Sequence, residues 1–273
     1  MIAIKAGAGT VPANAAVEVH GMTTRFATAS SAVHLPFADR LAAGEALAAR
    51  VLALPPPGAP VLVLALPRGG VPVAAVVARA LRAPLDLLLV RKIGAPGQPE
   101  LAVGALVDGT PPQVVANRAL CLRLGVDEAY LAAGAHAAIA ENERRRRLYL
   151  GGRPPAPVAG RCVVVVDDGV ATGTTMLAAL QAVRAQRPHR LVAAVPVASR
   201  EAAATLRPLV DEWVCLAEPV PFEAVGRHYR HFGQVDDDEV MQALAAAGRS
   251  IAAPSQPAGP ADGRESAAPS TTS

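Results

Sequence analysis

The run Val163-Val164-Val165-Val166-Asp167-Asp168-Gly169-Val170-Ala171-Thr172-Gly173-Thr174-Thr175 constrains this chain more than any other segment. Consecutive valines are stiff at χ1 and favour an extended backbone, and a run that is apolar on both faces reads as a buried strand. Two adjacent carboxylates close it. A short loop of Gly, Thr and Ala then leads into a helical stretch, Met176 to Arg187. This order sets backbone N–H groups and hydroxyls at a helix N-terminus, where a phosphate binds well. The acid pair beside them suits ribose hydroxyls or a magnesium ion. One segment can thus hold a sugar phosphate by both ends. A bare Asp-Asp-Gly after a strand is also an ordinary turn that caps the next helix, so the whole run carries the reading. The Lys of a P-loop and the G-x-G-x-x-G spacing of a dinucleotide fold are both missing.

A second strand-to-helix turn lies upstream. Val61 to Leu66 is an apolar strand candidate ending in Pro67-Arg68-Gly69-Gly70, and Val71 to Leu81 reads as a helix with Pro72 in its first turn. Two glycines allow close backbone approach, although Arg-Gly-Gly alone is a common turn. Leu85 to Val90 is a third strand candidate. Arg91-Lys92-Ile93-Gly94-Ala95-Pro96-Gly97-Gln98-Pro99-Glu100 follows, and its Gly and Pro predict a loop without fixed helix or strand. Of the 26 basic residues only Lys5 and Lys92 are lysines. In so Arg-rich a chain Lys92 either supplies a compact ammonium that Arg cannot replace, or is a surface residue without special meaning.

The alternation of strands and helices from Val61 to Leu216 predicts one α/β unit. Aromatics make up only 3% of the residues against 52% hydrophobic, so the core is built from Ala, Val and Leu. Phe37 to Leu54 and Asp127 to Leu150 read as helices. In the second, Glu141 and Glu143 precede Arg144 to Arg147 by three and four residues, which suits helix-face ion pairing better than a nucleic-acid patch. Leu191 to Val197 and Trp213 to Leu216 are further strands, with a helix from Ser199 to Leu206 between them. Cys121, Cys162 and Cys215 have no metal spacing and suit a reducing cytoplasm. No apolar segment reaches membrane-spanning length, and a net charge of +3 demands no nucleic-acid partner. Residues 1–34 form an extension expected to be poorly ordered, residues 35–248 a single domain, and residues 249–273 a disordered tail.

The acid-pair run resembles the phosphoribosyl pyrophosphate (PRPP) loop of the type I phosphoribosyltransferases. Over roughly Phe37 to Leu244 the chain is most similar to small bacterial members whose acceptor base is not evident. The resemblance implies an open parallel sheet flanked by helices on both faces, with a small hood at about 217–233. It implies that Asp167 and Asp168 meet the ribose hydroxyls and a magnesium ion. Ala171, Thr172, Gly173, Thr174 and Thr175 would wrap the 5-phosphate, with Gly169 and Val170 beside them among the PRPP-binding residues. Gly169 stands where the family more often has a branched apolar residue, and a local backbone effect is expected there. Arg68, Gly69 and Gly70 match the pyrophosphate loop. Arg91 and Lys92 match a mobile loop whose basic residues meet pyrophosphate. Phe222, in the region of Tyr229 and Phe232, is the candidate to stack on the base; those aromatics also suit a small satellite core. Lys92, Asp167 and Asp168 are the catalytic candidates.

The implied activity is transfer of ribose 5-phosphate from PRPP to a nitrogenous base, as in nucleotide salvage, with Mg2+ as cofactor. The partners are those two small molecules, with no nucleic acid and no membrane, in the cytoplasm; a homodimer is compatible. Ala171 stands where 6-oxopurine users carry an acid, which disfavours hypoxanthine and guanine, and Glu100 is the acid of an adenine-like alternative. Two other classes are compatible with these residues: a regulator that binds PRPP or a nucleotide without catalysis, and a different phosphate-binding α/β protein such as a kinase or sugar-phosphate enzyme, the kinase being disfavoured by the missing P-loop Lys.

Overall fold

The computed structural model describes residues 3–4 and 34–252. Its centre is a five-stranded parallel sheet of β2 (Val61–Ala65), β3 (Leu85–Leu87), β7 (Cys162–Val166), β8 (Arg190–Val197) and β9 (Glu212–Ala217), in the order β3-β2-β7-β8-β9. Val163 to Val166 are fully buried, as a strand covered on both faces requires. Alternate residues serve opposite cores. Val63, Ala65, Val164 and Val166 pack with α1 (Arg40–Val51), α2 (Gly70–Leu81) and α7 (Asp237–Ala252). Leu62, Leu64, Val163 and Val165 pack with α5 (Thr174–Ala185) and α6 (Arg200–Leu206). The sheet is therefore flanked by helices on both faces.

The order fixes where a ligand belongs. From β2 the chain goes through α2 to β3 on one side, and later returns as β7 on the other. The carboxyl ends of β2 and β7 thus flank the point where strand order reverses, the general ligand crevice of open α/β sheets. Ala65 pairs with Val166, so the Arg68 turn and the acid pair leave the sheet side by side.

A second sheet, in the order β1-β6-β5-β4, joins β1 (Ala3–Ile4) from the start of the chain to β4 (Val90–Ala95), β5 (Gln98–Val107) and β6 (Gln113–Ala116), which lie between β3 and β7. One face covers α5. The other packs on α3 (Arg118–Leu124) and α4 (Glu128–Leu150) through Ile93, Leu106, Leu131 and Ala135. This corrects the sequence reading at 91–100, where a loop was expected. Residues Val90 to Ala95 pair antiparallel with β5, and the Gly and Pro form the turn. Gly97 takes φ +68° there, and a side chain at Gly94 would strike the Pro99 carbonyl at 2.5 Å. The single strand expected at Leu85–Val90 is split between the two sheets.

Smaller corrections follow. Helix α1 starts at Arg40, where the Asp39 carboxylate accepts from the Ala42 N–H, rather than at Phe37. Helix α5 starts at Thr174, two residues early, because Gly173 turns the chain with φ +77°. Helix α7, which no sequence pattern revealed, carries the fold to Ala252 and so includes the first residues of the expected tail. Within the expected N-terminal extension, Ala3–Ile4 pairs in parallel with β6. The order expected of residues 5–33 and 253–273 concerns segments outside the described residues. Cys121 and Cys162 are buried, while Cys215 is half-buried. No described helix is long and apolar enough to cross a membrane.

Candidate active site at the strand ends

Asp167 and Asp168 leave the sheet from β7, directly against the turn that leaves β2. A Cβ built on Gly69 would lie 2.1 Å from Asp168 Oδ2, and one on Gly70 would lie 2.9 Å from Asp167 Cα. Only a residue without a side chain permits this approach. The two glycine-bearing and acid-bearing motifs therefore form one surface, although nearly a hundred residues separate them in the chain. The Pro67–Arg68 peptide is cis.

The carboxylates differ in their surroundings. Asp167 Oδ1 accepts from the Asp168 N–H at 2.9 Å. Burial and the neighbouring Asp168 push the Asp167 carboxyl well above the usual range. Burial also raises Asp168, against the pull of Arg40. Arg40 Nε donates to Asp168 Oδ2 at 2.8 Å, and its guanidinium lies over the Phe232 ring. The Tyr229 hydroxyl donates to the Asp168 carbonyl at 2.6 Å. Arg40 was not singled out from the sequence, and Tyr229 only as one of the hood aromatics. Arg40 is 128 residues from its partner, and no local pattern marks it.

The loop after the pair is open. Ala171, Thr172 and Thr174 are exposed, and the Thr172 and Thr174 hydroxyls are 3.4 Å apart. The first-turn N–H groups of α5 have no helical acceptor. Val170, by contrast, is buried and its N–H donates to Val197, so its side chain is part of the core. Ser199 caps α6 and donates to the Ala171 carbonyl at 2.6 Å, which ties the loop down. Gly169 does not take a positive φ. Its space is occupied from outside: a Cβ there would strike Val225 at 2.4 Å and Val197 at 2.9 Å. A branched residue of the hood fills the place of the branched residue missing from the loop.

The hood's aromatics form a small core with one ring at a cavity wall. Phe37, Tyr229 and Phe232 form a small core with ring centroids 5.6 and 4.9 Å apart, anchored on Val197. Phe222 lies at its margin, 5.0 Å from the His228 ring. It lines a cavity of about 400 Å³ together with Ala171, Thr172, Ser199 and Glu223. A larger cavity of about 580 Å³, lined by Pro111, Pro154, Pro155 and Pro157, has no charged wall and shares no residue with the strand-end loops.

The basic candidates are less gathered. Arg68 extends to Asp237 of α7 at 3.5 Å, and the same carboxylate accepts from the Tyr149 hydroxyl at 2.6 Å. Arg91 and Lys92 sit in β4, where neighbouring side chains point to opposite faces. Lys92 pairs with Ala105 and shares the face of Val90, which packs with Leu66 and Met176 beside the two loops. Arg91 pairs with Leu106 on the face turned to α4. The pleat therefore separates two residues that the sequence reading placed on one ligand. Among the described residues, neither makes an ion pair or a side-chain hydrogen bond. Glu100 is exposed beyond the hairpin turn.

The phosphoribosyl transferase domain family matches residues 38–228. The chain belongs to that family. Two Mycobacterium tuberculosis relatives, from strains CDC 1551 and H37Rv, carry the provisional name phosphoribosyl transferase. Each is 44% identical over 216 residues, which is 79% of this chain and 48% of theirs. The chain thus spans about half the length of these curated relatives. A solved structure from Thermus thermophilus is 46% identical, covers 77% of this chain and 98% of its own, and superposes with a TM-score of 0.65. The type I phosphoribosyltransferase fold is that of this family.

Proposed function

We propose that the protein transfers ribose 5-phosphate from PRPP to a nitrogenous base and releases pyrophosphate. The observation that carries this reading is the contact of Gly69 and Gly70 with Asp167 and Asp168. It joins a pyrophosphate-type turn and a ribose-type acid pair at the reversal point of the sheet. In this reading the loop Ala171 to Thr175 and the α5 N-terminus hold the 5-phosphate. Asp167 and Asp168 accept from the ribose hydroxyls and favour the positive charge that grows on the ring as the bond to pyrophosphate breaks. Arg68, released from Asp237, and Lys92 face the departing pyrophosphate. Phe222 covers the acceptor base, which enters beside Ala171.

The acid pair fits a divalent cation in one respect: two carboxylates stand side by side at a strand end, and among the described residues Arg40 is the one cationic side chain bonded to them. The described residues contain no group of three or more metal-ligating side chains. Such a site suits magnesium held largely by substrate oxygens. When bound, magnesium would neutralise pyrophosphate oxygens.

The test is pyrophosphate release from PRPP with a panel of purine, pyrimidine and other nitrogenous bases, with and without magnesium. Release with at least one base, dependent on magnesium, is expected. PRPP binding without release under any base would favour a regulator on the same fold. No binding of PRPP or of a nucleoside monophosphate would end the proposal.

A further inference from the structure

We infer that Arg40 is a positioning residue of this site: it occupies one carboxylate oxygen of Asp168 and leaves the other for the ligand. The inference rests on the phosphoribosyl reading above and extends it to a residue outside both loops. Arg40 is the first residue of α1. Its Nε donates to Asp168 Oδ2 at 2.8 Å, in a pair whose side chains are only 12% and 13% exposed. Its Nη1 donates to the Gly233 carbonyl at 2.8 Å. Its guanidinium carbon is 3.9 Å from the centre of the Phe232 ring. One N–H on the carboxylate, one on a carbonyl and a ring against its face together fix the planar guanidinium.

The opposite side of the carboxylate is closed as well. Oδ2 lies over Gly69, where a Cβ would come within 2.1 Å. The main-chain carbonyl of Asp168 is taken by the Tyr229 hydroxyl. Oδ2 is thus held between Arg40 and Gly69, and among the described residues no side chain donates to Oδ1. A ribose hydroxyl needs an acceptor lone pair in a fixed place. A carboxylate free to rotate would lose part of the binding free energy to its own ordering. Because the hood supplies Phe232 and the Gly233 carbonyl, the hood sets the orientation of the ribose acid without touching the ribose.

A binding cycle tests this. Calorimetry with PRPP and magnesium compares the wild type, Arg40→Gln, Asp168→Asn and the double variant. Arg40→Gln should weaken binding about tenfold when Asp168 is present and have no further effect in the Asp168→Asn background. An equal loss in both backgrounds, or no loss in either, overturns the inference. Arg40→Lys, which keeps the charge and guards against misfolding, gives a second reading by crystallography of the free protein. Displacement of the Asp168 carboxylate from Gly69 supports the inference, and an unmoved carboxylate overturns it. Should the wild type bind no PRPP, the phosphoribosyl reading fails, and the free Arg40→Lys structure alone decides the role of Arg40.

Discussion

Asp167 and Asp168 are neighbours in sequence but not in circumstance, and substitution should separate them. Asp167 is half-buried beside a second acid, and desolvation and that neighbour raise its carboxyl well above the ordinary range. The folded chain therefore keeps this proton to a higher pH than the unfolded chain does. The resulting penalty on stability is absent near pH 4 and grows as pH rises through the raised value. Asp167→Asn should raise the thermal midpoint at pH 8 by a few degrees, with the gain vanishing toward pH 4. Asp168→Asn should do the opposite, because it strands the guanidinium of Arg40 in a nearly buried place, at a cost of about 3 kcal/mol. Thermal unfolding of both variants across that pH range checks the pair of signs; equal shifts would refute the assigned environments. Lys92 gives a kinetic prediction. If its ammonium meets charge that develops on pyrophosphate, Lys92→Ala should lower kcat about a hundredfold and change KM little. A rise in KM alone would remove it from that role. Lys92→Arg should rescue only part of the loss, since the planar fork does not reproduce a point charge.

At the level of elements, what could be read in the sequence depended on how local the signal was. The central strands were legible because Val163 to Val166 and Val61 to Leu66 are continuous apolar runs, and a strand buried on both faces has no other composition. The helix from Glu128 was legible through its paired charges, with Asp127, read as its first residue, serving as its cap. The β4–β5 hairpin was not, because its Pro96-Gly97 turn is read as loop composition when its flanks are short and mixed. Arg146 shows the same limit. In the run Arg144 to Arg147 its three neighbours pair along the helix with Glu141 and Glu143, as expected. Arg146 instead turns inward, meets Asp86 and Asp108 and donates to the carbonyls of Leu87 and Arg153. It thereby locks α4 to the crossing between the two sheets. Arg146→Met should strip Asp108 of its cation and leave buried Asp86 only the more distant Arg153, at a cost of about 3 kcal/mol, or roughly 10 °C in thermal midpoint. Arg144→Met should shift it by less than about 2 °C, as befits an exposed pair. Differential scanning calorimetry distinguishes the two.

Across the whole molecule, the two strand-end loops were legible one at a time, through Gly69-Gly70 and through Asp167-Asp168. Their meeting was not, because strand order is a long-range property. The hood was legible as a cluster of aromatics, but its ties to Asp168 through Arg40 and Tyr229 join residues at opposite ends of the domain.

That strand order also divides the molecule in an unexpected place. The segment from Gly151 to Gly160 joins α4 to β7, and a cut there leaves one piece with β2, β3 and the hairpin sheet, the other with β7, β8 and β9. Each piece carries one of the two loops, and β2 and β7 are the strands that must find each other. Binding at the site is then a report on reassembly. Two fragments expressed separately should show no affinity for PRPP singly and regain it when mixed, with the ligand strengthening their association by linkage. The same loop that a designer would choose as a break point makes this chain a candidate two-part sensor, in which a small phosphorylated sugar acts as the clasp between halves.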